Sequence, residues 1–260
     1  MLRTVRSIAI HSFKGGTGKS TISANLAATL AVKGKRIGVM DMDLEGPGLH
    51  VIFGLDPYEL PLTLNDVLTN GAEPERAAIK MNDRLHLDRG GLYFVPASVK
   101  VEEILKSLRS GFELDSFSNA IKKLTEKFGL DYLFVDTHPG LEDDTLLAMG
   151  VCDNVFVVSR LDQQDMFGTG VLAEVARTLE KPVHLVLNMI PSALKASEVS
   201  TIADKIGANF KVQVLGWLPF SEEIVNSLSK SVFILSNPRH PMTKRFNELA
   251  AKLESLSGVN

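Results

Sequence analysis

One glycine-rich segment of the chain is suited to bind phosphate groups. It reads Lys14-Gly15-Gly16-Thr17-Gly18-Lys19-Ser20-Thr21 and lies between a predicted strand, residues 7–11, and a predicted helix that begins at Lys19. Glycines let backbone N–H groups turn towards an anion, and the helix N-terminus adds its positive dipole end. The pattern therefore predicts a loop in which Lys19 reaches the β- and γ-phosphates and Ser20 coordinates Mg²⁺. The alternative is a glycine-rich turn whose lysines face solvent.

The loop departs from the usual P-loop pattern at one position. That pattern has a glycine five residues before Gly18, where this chain has Phe13, and a second lysine, Lys14, follows. The segment resembles the deviant Walker A motif of the ParA/MinD family of ATPases. The resemblance implies Mg-ATP held by residues 14–21 and an ATP-dependent homodimer in which Lys14 touches the partner's nucleotide. A lysine supplied in this way neutralises charge on the phosphoryl group that is transferred. Lys14 and Lys19 are both expected to be catalytic.

Two carboxylates follow the second predicted strand, residues 36–40. They are Asp41 and Asp43, and we call residues 41–48 the first switch. The carboxyl end of a parallel strand lies at the edge of the sheet where ligands bind. By resemblance to the family, Asp43 orients the attacking water and Asp41 lies near the Mg²⁺ shell. A polar turn that merely ends the strand is the alternative.

A third carboxylate, Asp136, closes the apolar run at residues 132–135. An acidic residue in this place is the Walker B arrangement, in which the carboxylate holds Mg²⁺ through water. We call residues 136–140 the second switch, and Gly140 gives it backbone freedom. His138 stands where the family usually has a proline or an alanine-like residue. It either tunes hydrolysis or lies exposed in the turn, and it is not counted among the catalytic residues.

Base recognition is predicted at two further strand ends. Asn188 ends the run at residues 183–187, and by resemblance it meets adenine. An arginine often follows this asparagine in the family, whereas Met189 follows it here. The turn around Pro219 resembles the segment on the other side of the base. Prolines also simply end strands, so both interpretations of Pro219 stay open.

Composition places the chain among ordinary globular proteins. Of its 260 residues, 45% are hydrophobic and 23% are charged, and the formal net charge is −3. This charge argues against a dedicated nucleic-acid binder. The single cysteine, Cys152, excludes an internal disulfide or a cysteine-only metal site within one chain, and it fits a reducing cytoplasm.

The order of apolar runs predicts an α/β fold with a mostly parallel sheet and helices on both faces. The predicted strands are rich in Val, Ile and Phe and cover residues 7–11, 36–40, 92–96, 132–135, 154–159, 183–187 and 212–218. Helical patterns separate them, notably from Lys19 and over residues 114–128, 166–179 and 242–256. Alternation of strand and helix is typical of a sheet with right-handed crossovers. We expect one P-loop domain, residues 1–260, with a helical and loop excursion over residues 54–91.

Relatives use a terminal membrane helix or a basic DNA-binding surface for attachment, and this chain shows little sign of either. MinD ends in a basic amphipathic membrane helix, but only residues 257–260 follow the last predicted helix, so we expect no membrane anchor here. Residues 191–260 carry eight Lys and Arg against six Asp and Glu. That excess allows weak, nonspecific DNA contacts, although so mild an excess is usually a solvated face.

The leading hypothesis is a slow ATPase that acts as a molecular switch. ATP would close a dimer that positions a cargo, such as DNA, a division site, a flagellum or another polar structure, and an activating protein partner would stimulate hydrolysis. The alternative is a P-loop metabolic enzyme of the amidase or ligase type. Such relatives usually lack an equivalent of Lys14. A metal-cluster carrier needs two cysteines near the dimer axis, and this chain has only Cys152.

Overall fold

The structure is a computed structural model that describes residues 6–111 and 113–256. Over these residues the chain forms eight strands and twelve helices. The strands are β1 (Arg6–His11), β2 (Arg36–Met42), β3 (Ile79–Lys80), β4 (Gly91–Val95), β5 (Tyr132–Thr137), β6 (Asn154–Ser159), β7 (Val183–Ile190) and β8 (Gln213–Pro219). The helices are α1 (Lys19–Val32), α2 (Leu49–Ile52), α3 (Leu64–Asn70), α4 (Pro74–Ala77), α5 (Val101–Ser110), α6 (Leu114–Phe128), α7 (Asp143–Val151), α8 (Gln163–Thr178), α9 (Ala196–Phe210), α10 (Glu222–Asn226), α11 (Phe233–Ser236) and α12 (Pro241–Ser255).

All eight strands of the described residues lie in one sheet, in the order β3-β4-β2-β5-β1-β6-β7-β8. Every pairing is parallel except that of β3 with β4. This confirms the predicted fold class. The order places β1, which leads into the glycine-rich loop, between β5 and β6. It also sets β2 beside β5, so that Asp41 is the register partner of Asp136.

The strands are apolar on both faces because helices cover both sides of the sheet. Alternate residues of β5 show this division. Phe134 belongs to the core beneath α1 and α12, whereas Leu133 and Val135 belong to the core beneath α6, α7, α8 and α9. The helix predicted over residues 242–256 is α12, and it packs on α1 through the buried Met242, Phe246, Leu249 and Leu253.

Residues 54–91 form the predicted excursion. They contain the short helices α3 and α4 and a turn-rich surface segment near residues 82–90. The sequence did not predict β3, whose two residues pair antiparallel with β4. Two residues are too few for a periodic pattern, and only the neighbouring strand makes them a strand. The helices that were not predicted individually are α2, α5, α7, α9, α10 and α11.

The described helices include none that is long and apolar enough to cross a lipid bilayer. Residues 257–260, on which the expectation of a missing anchor depends, lie outside the described residues. The assignment of residues 1–260 to one domain stays a prediction.

Candidate functional site

The glycine-rich loop joins β1 to α1 in a conformation that only glycine adopts readily. Gly16 has φ +76° and Gly18 has φ +87°, both in the left-handed region. Gly18 is also the N-cap of α1, and no side chain caps the first turn there. The N–H groups that a capping side chain would satisfy are therefore available to an anion. The geometry fits a phosphate group at the loop.

Lys19 is the first residue of α1 and is largely buried, with 7% of its surface exposed. Its Nζ lies 3.4 Å from Oδ1 of Asp136, at the end of β5. The same Oδ1 accepts a hydrogen bond of 2.7 Å from Oγ of Ser23, one helical turn after Lys19. Ser23 was not predicted as a site residue, although its i+4 spacing from Lys19 places it on the same face of α1.

The second oxygen of Asp136 is buried and has no hydrogen-bond partner. A buried acceptor without a partner is costly, and a water of a Mg²⁺ shell would satisfy it. Ser20, in the first turn of α1, is half-buried at the rim of the same cleft. Asp136 and Ser20 therefore fit Mg²⁺, because this ion prefers oxygen ligands and keeps several of its waters.

Asp41, at the end of β2, is the second buried carboxylate of this cluster, with 1% of its surface exposed. Burial, followed by the charges of Asp136 and Asp43, raises its pKa to about 8. Its oxygens accept hydrogen bonds from the backbone N–H groups of Asp43 at 3.2 Å and Leu49 at 3.3 Å. Asp41 thus shapes the backbone of the first switch, and a divalent cation beside it would offset the local negative charge.

Asp43 and His138 connect the two switches. Oδ1 of Asp43 lies 2.8 Å from Nδ1 of His138 and accepts a 3.0 Å hydrogen bond from the N–H of Gly46. Burial lowers the pKa of His138, but the hydrogen bond to Asp43 and the charges of Asp43, Glu45 and Glu142 raise it above its usual value overall. The structure places the ring of His138, from the second switch, against the first switch rather than in an exposed turn, with 21% of its side chain exposed.

His11, at the end of β1, links the glycine-rich loop to the second switch. Its Nδ1 lies 2.6 Å from Oγ1 of Thr137, and its Nε2 lies 2.7 Å from the carbonyl oxygen of Gly140. The N–H of Gly140 also donates to the carbonyl oxygen of Ser12 at 3.1 Å. Burial lowers the pKa of His11 to about 4, so the ring is neutral near pH 7. A polar residue at the end of an apolar strand was the available signal for His11.

Lys14 and Phe13 attach the start of the loop to α8. Nζ of Lys14 donates a hydrogen bond to Oε1 of Gln164. The ring of Phe13 occupies the space where a side chain at Gly168 would lie. The residue that replaces the usual P-loop glycine is therefore a packing contact with α8. Neither Gln164 nor Gly168 was predicted from the sequence, although a glycine inside a helix often marks a close approach.

The predicted base-binding residues lie together beside the loop. Nδ2 of Asn188 donates a 2.7 Å hydrogen bond to the carbonyl oxygen of Thr17, which ties β7 to the loop. Met189 has φ +53° and, with Asn188 and Pro219, lines a small apolar cavity of about 50 Å³ next to Gly18. The contact of these residues with adenine stays a prediction.

A cleft of about 380 Å³ joins these parts. Residues 15–21 form one wall, and Asp43, Gly48 and Pro139 of the two switches line it as well. A strand, a left-handed glycine loop and a helix, with a buried lysine facing carboxylates from the neighbouring strand ends, define a P-loop nucleotide-binding protein.

Comparison with known proteins gives the family. A family model described as "AAA domain" matches residues 5–189, which is more than half of the chain. The septum site-determining protein MinD of Thermotoga maritima is 26% identical over 252 residues, covering 95% of this chain and 87% of that protein. The flagellum site-determining protein YlxH of Helicobacter pylori is 31% identical over 183 residues, covering 70% of this chain and 58% of that protein.

Solved structures agree with these relatives. The cell division ATPase MinD of Pyrococcus furiosus superposes with a TM-score of 0.79 at 26% identity, covering 96% of this chain and 99% of that one. The chain belongs to the ParA/MinD family of P-loop ATPases. As a member of this family it is an ATPase, and its cleft fits ATP with Mg²⁺.

Proposed function

We propose that this ATPase is a switch that dimerises with ATP and positions a cellular cargo. The observation that carries the proposal is the position of Lys14. Its ammonium group is held by Gln164 of α8, whereas Lys19 lies in the phosphate cleft. The attachment of this lysine outside the cleft of its own chain supports a role at the nucleotide of a second chain.

Nucleotide binding in this proposal uses groups that the site already presents. The backbone N–H groups of residues 15–18 and the ammonium of Lys19 bind the phosphate oxygens. Ser20 and Asp136 would hold Mg²⁺, and Asp41 is the register partner of Asp136 on the neighbouring strand. When bound, Mg²⁺ screens the negative charge of the phosphates.

Asp43 is the residue we assign to the attacking water. Its Oδ1 accepts two hydrogen bonds from the chain, from Gly46 and His138, and the carboxylate lines the cleft. The remaining oxygen, Oδ2, is the atom suited to orient a water molecule. Attack of this water on the γ-phosphorus breaks its bond to the β,γ-bridging oxygen and yields ADP and phosphate.

A dimer interface around the cleft accounts for several exposed apolar side chains. Val51 lines the cleft and is 44% exposed, Leu141 follows the second switch and is 37% exposed, and Phe167 lies beside Gln164 and is 73% exposed. Apolar side chains that surround a functional site are typical of an interaction surface. A second copy of the chain would cover them and bring the partner's Lys14 to the cleft.

The relatives named above support a general class of cargo and not one particular cargo. One determines the septum site and another the flagellum site, which supports a role in placing a structure within the cell. An activating protein partner and weak, salt-sensitive DNA contacts belong to the same proposal. The single buried Cys152 fits the reducing cytoplasm where such a protein would work.

Light scattering with ATP and Mg²⁺ tests the switch. The parent is expected to dimerise, and Asp43→Ala to bind ATP and dimerise while hydrolysing almost nothing. Lys14→Ala is expected to bind ATP and stay monomeric, because the contact in trans is lost whereas Lys19 and the backbone of the loop are kept. Lys122→Ala, which removes an exposed lysine on α6, is the matched control and should dimerise like the parent.

Two results would refute the mechanism. A parent that stays monomeric with ATP would exclude the dimeric switch. Equal dimerisation of Lys14→Ala and the parent would show that Lys14 does not reach the second site.

A further inference from the structure

The ring of His138 lies between two carboxylates of the first switch. Its Nδ1 is 2.8 Å from Oδ1 of Asp43, and its Nε2 is 3.7 Å from Oε2 of Glu45. Asp43 and His138 are separated by 95 positions in the chain, and both side chains are mostly buried, at 15% and 21% exposed. The contact therefore joins the two switches in a partly desolvated place, where a hydrogen bond to a charged group is strong.

The direction of this hydrogen bond follows from its partners. A carboxylate oxygen accepts hydrogen bonds, so Nδ1 of His138 carries the hydrogen of this bond and is its donor. The backbone N–H of Gly46 donates to the same oxygen at 3.0 Å. Among the described contacts, both hydrogen bonds to this carboxylate end on Oδ1. Oδ2 is thereby left for a group in the cleft.

The terminal torsion of an aspartate is broad and nearly two-fold, so a carboxylate turns easily unless its oxygens are held. The N–H of Gly46 alone would hold Asp43 weakly, because Gly46 is exposed in the first switch. His138 supplies the second, more buried donor. We propose that His138 is a positioning residue, whose Nδ1–H holds Oδ1 of Asp43 so that Oδ2 meets the attacking water.

This inference rests on the proposed role of Asp43 and deepens it. His138 does not act on the water itself, because Nδ1 is engaged by Asp43 and Nε2 faces Glu45. The proposed role of His138 also differs from a purely structural one. Replacing a structural residue would affect folding and ATP affinity, whereas replacing a positioning residue slows the chemical step and leaves ATP affinity unchanged.

The test compares three replacements in the full chain. In His138→Asn, the side-chain amide can place a donor near the position of Nδ1. In His138→Gln, the donor lies near the position of Nε2, and His138→Ala has none. We expect Ala and Gln to lower kcat by roughly 10- to 100-fold, the loss of one hydrogen bond to a charged group, with KM within about twofold. Asn should keep kcat within about threefold of the parent.

Glu45→Gln is the matched control for the other side of the ring. It removes the charge near Nε2 and leaves the Nδ1 contact in place, so kcat should stay near the parent value. Calorimetry of ATP binding accompanies each kinetic measurement and also verifies that each variant is folded.

Three outcomes would overturn the inference. They are a parent-like kcat in His138→Ala, an Asn variant as slow as the Ala variant, and weakened ATP binding that accounts for the loss. None of them affects the dimerisation test of the switch. Conversely, a parent that stays monomeric with ATP refutes the switch, and the kcat values of the variants still decide the role of His138.

Discussion

The contact between Phe13 and Gly168 gives a prediction of definite sign. A Cβ added at Gly168 would overlap three atoms of the Phe13 side chain at well below any real contact distance. Gly168→Ala must therefore displace the ring of Phe13. Phe13 immediately precedes Lys14. Because α8 and the loop meet at this point, the displacement should reach the phosphate site.

The magnitude comes from two opposing effects. Replacing glycine by alanine inside a helix stabilises it by up to about 1 kcal/mol. Overpacking a close contact costs about 1–3 kcal/mol. Gly150, in α7, offers the matched control, because an added Cβ there meets no atom within 4 Å. We expect Gly168→Ala to lower the free energy of unfolding by about 1 kcal/mol, and Gly150→Ala to raise it by about 0.5 kcal/mol.

Urea unfolding followed by the fluorescence of Trp217, the single tryptophan, measures both free energies. Calorimetry should show weaker ATP binding for Gly168→Ala and parent-like binding for Gly150→Ala. Adding Phe13→Ala to Gly168→Ala should recover stability relative to the sum of the two single changes, since the clash is removed. Equal effects of the two glycine replacements would refute this account of Phe13.

Two further predictions concern buried titratable groups. The pKa of His11 is about 4 in the folded chain and 6.5 in the unfolded chain. Between pH 6.5 and 4 only the unfolded state protonates this ring, so the free energy of unfolding should fall as the pH drops through that range. The ring of His11 should contribute about 3 kcal/mol to this loss. His11→Gln keeps a donor for the carbonyl oxygen of Gly140 but cannot titrate. The difference between the pH profiles of the parent and of His11→Gln should therefore give the contribution of the ring. Burial, with the charge of Asp153, raises the pKa of Cys152 to about 12, so the folded protein should not react with an aromatic disulfide reagent at pH 8. Reaction should begin only in urea, in step with unfolding, and rapid labelling of the native protein would contradict the buried position of this thiol.

The sequence determined the features that depend on neighbouring residues. The strand, glycine loop and helix around Lys19 are local, and the left-handed angles of Gly16 and Gly18 follow from their lack of a side chain. The same holds for the apolar runs that lead to Asp41 and Asp136, because runs of this length are recognisable without the fold. These patterns, with the second lysine at Lys14, were enough to predict the fold class, the family and its ligands.

The tertiary structure decided the contacts between distant segments. The order of the strands sets β2 beside β5, and that order fixes Asp41 opposite Asp136. The bond from His138 to Asp43 and the packing of Phe13 against Gly168 join residues that are far apart in the chain. No local pattern encodes such pairs, because they arise only when the sheet register and the helix positions bring two surfaces together. The sequence therefore located His138 in the second switch, and only the folded chain showed that its ring contacts the carboxylate of Asp43.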